Sequence, residues 1–240
     1  MEEKKILVTN DDGIHANGLL RLVKAAKNFG KVYVVAPDKE CSAMSHRITL
    51  REHIDVKQVP FEIEGVEAYA STGTPADCVR FGILNIIKEK PDLVLSGINY
   101  GFNCGSDIQY SATVGAALEA ACVGVPAIAL SEDFSENHEV TDAYLEQMIG
   151  KLMHRPLGYN QIWNVNFPKC PLGEFRGILE DRKVARNAFF DDEYVEEVLS
   201  DGTRRLSVKG HYHENADEGT DFKAVVDGYI SVGVVNNLSN

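Results

Sequence analysis

Ile6-Leu7-Val8-Thr9-Asn10-Asp11-Asp12-Gly13 is the stretch whose reading decides the fold. β-prone residues run straight into an amide, two adjacent carboxylates and a glycine, and a helical pattern begins at Gly18. That is a buried first strand ending in a sharp turn ahead of a helix. In open α/β sheets, ligands bind in the crevice just beyond such strand ends. Asp11 and Asp12 would be costly there without a counter-charge, because the crevice is partly desolvated. A divalent cation supplies that charge, so the stretch predicts a metal site at the tip of the first strand.

Working outward, the spacing of Leu19, Leu20, Leu22, Val23, Ala26 and Phe29 predicts a helix over 18–29, with Gly30 as its C-terminal cap. Residues 31–36 read as a second buried strand stopped by Pro37, and 38–46 as an irregular polar loop. Residues 48–71 read as extended segments. Thr74, Pro75 and Asp77 mark a strong helix start, running to about Lys88. A third core strand over 91–96 opens into a Gly/Asn loop over 97–105. A small-residue helix follows from Ser111-Ala112-Thr113 to Val123, then a strand over 125–130 and a helix at 141–153. This β-α-β alternation predicts a Rossmann-like, doubly wound, mostly parallel sheet with helices on both faces.

The texture changes after that. Residues 163–168 read as a strand that can return to the sheet. Residues 175–213 alternate around the hairpin signal Asp201-Gly202, and 229–235 is β-prone. The expectation is one domain over 1–240, with a Rossmann-like core over 1–155. A C-terminal extension over 156–240 carries a protruding hairpin suited to subunit contacts.

The 240 residues are 44% apolar and 25% charged, ordinary for a globular enzyme with a sizeable core. A net charge of −12 argues against binding a nucleic-acid polymer or an anionic membrane surface. The five cysteines (Cys41, Cys78, Cys104, Cys122, Cys170) are odd in number and lack a C-x-x-C spacing, so neither a disulfide framework nor a zinc ribbon fits. The opening Met1-Glu2-Glu3-Lys4-Lys5 has no signal-peptide character, and no apolar run is long enough to span a bilayer. A reduced, cytoplasmic protein is expected.

Two loops add donors to the acidic pair. Ser42 follows the second strand and Asn99 follows the third, and in a doubly wound sheet both lie on the edge where Asp11 and Asp12 end the first. Two carboxylates, a hydroxyl and an amide carbonyl are hard oxygen ligands, suited to one Mg²⁺ or Mn²⁺ per subunit. Gly97, Gly101 and Gly105 permit positive φ. Ser111, Ala112 and Thr113 sit at a helix N-terminus, where free N–H groups and the dipole favour a phosphate, with Asn99 beside them. Asn10 is a candidate for a supporting position, and His46, four residues after Ser42, for a general acid or a supporting partner. His211 and His213 read as surface residues, and the acidic residues over 191–197 as a solvated face.

These motifs together resemble the survival protein E (SurE) nucleotidase family. The resemblance is carried by 9–14, by Ala36-Pro37-Asp38 leading to Ser42 and Ser45-His46, and by 73–79. It continues through 96–105, 110–117, 164–168, 218–221 and 227–231, over nearly the full length and in order. It implies a metal-dependent, acid-type phosphatase acting on nucleoside 5′- or 3′-monophosphates, with short polyphosphate as a further substrate. It places the metal on the positions of Asp11, Asp12, Ser42 and Asn99, with Asp11 and Asp12 catalytic. It also implies a homodimer or homotetramer interlocked through the C-terminal half. The chain departs from the family pattern in two places: Ala112 stands where glycine is usual, which matters if φ must be positive, and Gly233-Val234-Val235 replaces Thr-Pro-Leu.

The alternative is a non-catalytic nucleotide-binding or receiver-like signalling protein. A receiver needs a phosphoacceptor aspartate at the tip of the third core strand, where this chain has Ser96-Gly97.

Overall fold

The computed structural model describes residues 3–238. Met1 and Glu2 of the opening, and Ser239 and Asn240 at the end of the extension, lie outside the described residues.

The first strand, β1 (Lys5–Thr9), buries side chains on both faces. Ile6 and Val8 point into one apolar layer and Leu7 into the other, as the two-residue period of a strand requires. The first layer is closed by α1 (Asn17–Ala26) and α4 (Glu139–Leu152), which supply Leu19, Leu22, Val23, Met148 and Ile149. The second is closed by α2 (Pro75–Phe81) and α3 (Ala112–Cys122), which supply Cys78, Val79, Ala116, Ala117 and Ala120.

Around β1 lie β2 (Lys31–Pro37), β3 (Val56–Val59), β4 (Glu67–Ser71), β5 (Leu93–Tyr100), β6 (Ala127–Glu132) and β7 (Gln161–Phe167). Together with β8 (Gly177–Arg182) and β11 (Tyr229–Asn236) they form a nine-stranded sheet in the order β3-β4-β2-β1-β5-β6-β7-β11-β8. Strands β4, β2, β1, β5, β6 and β7 are mutually parallel. Numbered by chain position, these six run 3-2-1-4-5-6, the doubly wound Rossmann order. Strands β3 and β11 pair antiparallel with β4 and β7. The remaining strands, β9 (Phe190–Val198) and β10 (Arg204–Tyr212), form a separate antiparallel hairpin.

The fold class and the hairpin are as the sequence predicts, and several boundaries are corrected. Gly30 does not cap α1 with a left-handed turn; Lys27 is the cap, and a Cβ at Gly30 would fall 2.3 Å from the Lys4 carbonyl oxygen. Close backbone approach is what that glycine serves. The helix from Thr74 has the expected capping box with Asp77, but its second half widens into a π-helix over Gly82–Ile87. Only 56–59 and 67–71 of the stretch read as extended are strands. The third core strand continues four residues past Ser96 to Tyr100, with a register shift between Ser96 and Asn99. A short helix, α5 (Asp221–Val226), capped by Thr220, interrupts the late β-rich region. The altered tail packs: Val235 is buried in the second layer, and the small Gly233 admits the Arg182 carbonyl.

A third cluster seats the hairpin. Phe102, Phe189 and Phe222 pack together, with Phe134, Phe190 and Tyr212 at its edge. Asp107 accepts the Phe189 N–H at 2.6 Å, fixing the base of β9. Among the described residues, no helix is long and apolar enough to cross a membrane.

Candidate active site

The order 3-2-1-4-5-6 changes direction between β1 and β5, and there the crevice opens. Asn10 donates its amide to the Gly13 carbonyl at 2.9 Å, and the Cys41 N–H donates to the Asp11 carbonyl at 2.7 Å. The acidic turn is thus pinned to the loop that follows β2.

Asp11 is only 3% exposed. The Thr113 hydroxyl donates to its Oδ1 and also lies 3.4 Å from Asn99 Oδ1. Burial pushes the Asp11 carboxyl up to about 7, opposed by the Thr113 hydrogen bond and reinforced by the charge of Asp12. Asp12 is half-buried and accepts the Tyr100 N–H at 3.3 Å. Its carboxyl is also raised, first by burial, against the pull of the Tyr100 N–H, and further by the charges of Glu40 and Glu132.

The structure brings Asp11, Asn99 and Thr113 into one cluster, with Asp12 beside it. The Ser42 hydroxyl is exposed and donates to Glu40 Oε1 at 2.8 Å, next to the Cys41 that is bonded to the Asp11 carbonyl. Ser111 is the N-cap of α3 and accepts the Val114 N–H at 3.1 Å. Ala112 is fully buried in the first turn and is not among the residues with positive φ, so the alanine fits without backbone strain. Gly97, Gly101 and Gly105 do have positive φ, at 136°, 128° and 58°. His46 is not hydrogen-bonded to the acidic pair; its Nε2 lies 2.7 Å from Glu119 on α3. His211 is exposed on the hairpin, and His213 packs beside the Phe222 ring.

Sequence reasoning missed the far wall of this crevice. Arg21 of α1 forks onto Glu132 at the end of β6, at 2.5 and 3.2 Å, and its Nε reaches Asp142 at 2.8 Å. Arg21, Glu132, Tyr100, Gly18 and Asp12 line a cavity of about 260 Å³. No local pattern announces the Arg21–Glu132 pair, because its members are 111 residues apart.

The arrangement fits a hard divalent cation. Asp11, Asp12, Glu40 and Glu132 gather negative charge in one place, Arg21 offsets it only at Glu132, and burial is the main cause that raises both Asp carboxyls. The buried Thr9 Oγ1 and Asn10 Oδ1 at the end of β1, and Ser96 Oγ within β5, have no hydrogen-bond partner among the described residues. Orphaned oxygens of this kind belong beside a ligand, an ion or water rather than in a dry core. The donors are all oxygen, the set Mg²⁺ or Mn²⁺ prefers.

Fold and site define an α/β protein of Rossmann type, with an acidic crevice facing a helix N-terminus at the switch point. The family model "Survival protein SurE" matches residues 6–188, and the chain belongs to that family. It is 41% identical over 233 residues to the "5′-nucleotidase SurE" of Thermoanaerobacter sp. (strain X514), covering 95% of this chain and 90% of that protein. It is 39% identical over 235 residues to the protein of the same name from Clostridium botulinum (strain Loch Maree / Type A3), with the same coverage. The crystal structure of the SurE protein from Aquifex aeolicus superposes with a TM-score of 0.82 at 34% identity, covering 98% of this chain and 95% of that one.

Proposed function

We propose that this chain is a phosphomonoester hydrolase that removes phosphate from nucleoside 5′- or 3′-monophosphates, with short polyphosphate as a further substrate. The observation that carries the proposal is the placement of Asp11 and Asp12 at the switch point, with Thr113 of the α3 N-terminus hydrogen-bonded to Asp11. Carboxylates for a cation and a helix dipole for an anion meet in one crevice. The relatives named 5′-nucleotidase support the 5′-monophosphate part of this reading.

Asp11, Asp12, Ser42 and Asn99 would hold one Mg²⁺ or Mn²⁺, which when bound neutralises charge developing on the transferred phosphoryl group. Ser42 reaches this set by exchanging its Glu40 hydrogen bond. Ser111, Ala112 and Thr113 bind the remaining phosphate oxygens at the start of α3, with Asn99 beside them. Thr113 holds Asp11 in one orientation, while Asn10 and His46 keep the two loops in place. Asp12 is the carboxylate that borders the open cavity, so it is the group placed to orient an attacking water and accept its proton. Arg21 holds Glu132 and tempers the field around that water.

The whole chain, 1–240, acts as one unit in this reading. The exposed hairpin, with Tyr194, Val195, Val198, Leu206 and Val208 uncovered, serves contacts with further copies in a dimer or tetramer, since an isolated hairpin is marginal in water. Described cysteines that are all free suit a reducing, cytoplasmic setting.

The test is phosphate release from a panel of 5′- and 3′-nucleoside monophosphates with chelator, Mg²⁺ or Mn²⁺, beside Asp12→Asn. Metal-dependent release that disappears in the variant supports the proposal. Absence of release from folded protein that still binds nucleotide would replace it with the non-catalytic binder.

A further inference from the structure

Helix α3 is lined with small apolar residues, yet Glu119 sits in it only 5% exposed. Its Oε1 accepts from Arg80 at 3.0 Å, and its Oε2 faces His46 Nε2 at 2.7 Å. Cys122 follows three positions later, on the same helix face. One ligand atom from each of His46, Glu119 and Cys122 lies within 4.8 Å of the others. Cys41, Cys78, Cys104 and Cys170 are buried, whereas the Cys122 thiol is exposed. The Asn237 amide donates to its sulfur at 2.9 Å, the kind of outer hydrogen bond that supports a ligating thiolate.

The loop that brings His46 here is itself held by the turn that precedes α3 and packs on the helix at Gly115. The Ser45 N–H and hydroxyl donate to the Tyr110 and Gln109 carbonyls at 2.9 and 2.7 Å. Gly115 permits the contact, since a Cβ there would fall 2.4 Å from the Ser45 carbonyl oxygen. Imidazole nitrogen, carboxylate oxygen and thiolate sulfur form a mixed, softer set than the all-oxygen crevice, and it is one that Zn²⁺ favours. Zinc bonds of about 2.0–2.3 Å require ligand atoms roughly 3.3–3.8 Å apart. An exposed cysteine and a half-buried histidine need move only about an ångström to meet that requirement.

We propose that His46 Nε2, Glu119 Oε2 and Cys122 Sγ form a second metal site, of zinc type, that staples the loop over 38–46 to α3. On binding, the thiol proton passes to solvent, and the imidazole exchanges the Nε2 proton that bridges to Glu119 for one on Nδ1, leaving the Nε2 lone pair to the ion. Arg80 stays on Oε1 and offsets part of the ligand charge. This staple does not depend on the phosphatase reading, although the loop it holds carries Ser42.

Cobalt(II) added to chelator-stripped protein is the probe, because a thiolate ligand produces a charge-transfer absorption that an all-oxygen site cannot. The absorption is expected in the natural chain and in Asp11→Asn, to be bleached by equimolar Zn²⁺, and to be lost in Cys122→Ser. His46→Ala should weaken the apparent affinity by about tenfold or more. Zinc should also slow trypsin cleavage after Lys39 and Arg47 in the natural chain but not in Cys122→Ser. The proposal is overturned if the absorption never develops, if it survives Cys122→Ser, or if His46→Ala leaves the affinity unchanged. It is equally overturned if zinc binds through Cys122 yet leaves the loop cleaved at the same rate.

Discussion

Thr113 and Asp11, 102 residues apart in the chain, are joined by a hydrogen bond from the threonine hydroxyl to the carboxylate in the floor of the crevice. The bond links the phosphate-favouring end of α3 to the cation-favouring end of β1. It also lowers a carboxyl that burial has raised. Thr113→Val should therefore raise the Asp11 carboxyl further above 7. A charged-group hydrogen bond is worth about 1.5–3 kcal/mol, or roughly one to two pH units. Because that proton competes with the cation for Asp11, the apparent affinity for Mg²⁺ or Mn²⁺ at pH 7 should fall by about tenfold, read by metal titration of the chelator-stripped protein. Thr113→Ser should restore most of it.

Asp11→Asn and Asp12→Asn should each reduce metal-dependent phosphate release by a factor on the order of 10³, as expected when a group that holds the ion or accepts the proton is removed. Both should keep the native circular dichroism spectrum, because each replacement removes charge from a crowded acidic turn. Unfolding of either variant would argue against this placement of the site.

The metal-free protein should lose stability as pH rises. The Asp11 carboxyl holds its proton up to about 7 in the folded chain, against 3.8 as the reference for the unfolded chain. Between these values the folded state binds the proton that the unfolded state releases, so the contribution is complete below 3.8 and is lost by about 7. At about 1.4 kcal/mol per unit, the loss is at most about 4 kcal/mol. Thermal unfolding in chelator at pH 5 and pH 7.5 should show Asp11→Asn gaining on the natural chain at the higher pH. Equal pH dependence of the two proteins would contradict the assignment.

Asp221 is buried at the start of α5 and accepts the N–H groups of Gly105 at 3.1 Å, Ala185 at 2.9 Å and Phe222 at 2.7 Å. Asp221→Ala orphans these donors at about 1–3 kcal/mol each. A loss of roughly 3 kcal/mol or more is expected in urea unfolding, with weaker turnover because Gly105 ends the loop that leaves Asn99. Asp221→Asn, which keeps one carbonyl acceptor, should lose distinctly less.

The backbone of Ala112, at the start of α3, needs no positive φ. Ala112→Gly should therefore leave kcat/KM within about twofold and lower stability by about 0.5–1 kcal/mol, the helix cost of glycine. A large gain in turnover would show that the methyl group obstructs the phosphate turn.

Much of this was legible in the residues themselves. The buried character of Ile6–Val8, the acidic turn after it and the cap at Thr74-Pro75-Asp77 report local burial and local hydrogen bonding, which periodicity and turn chemistry encode. So did the fold class, since alternating strands and helices admit few sheet orders. What the tertiary structure alone decided was the identity of partners across the sheet. Arg21 finds Glu132, Asp221 finds Gly105, His46 turns to Glu119, and Ser42 rests on Glu40 rather than on the aspartates. Those pairings depend on which loops the strand order brings to one edge and on how far each backbone can approach. Neither is carried by spacing along the chain, so the sequence named the acidic crevice, and the packed sheet set the charges and hydrogen bonds that surround it.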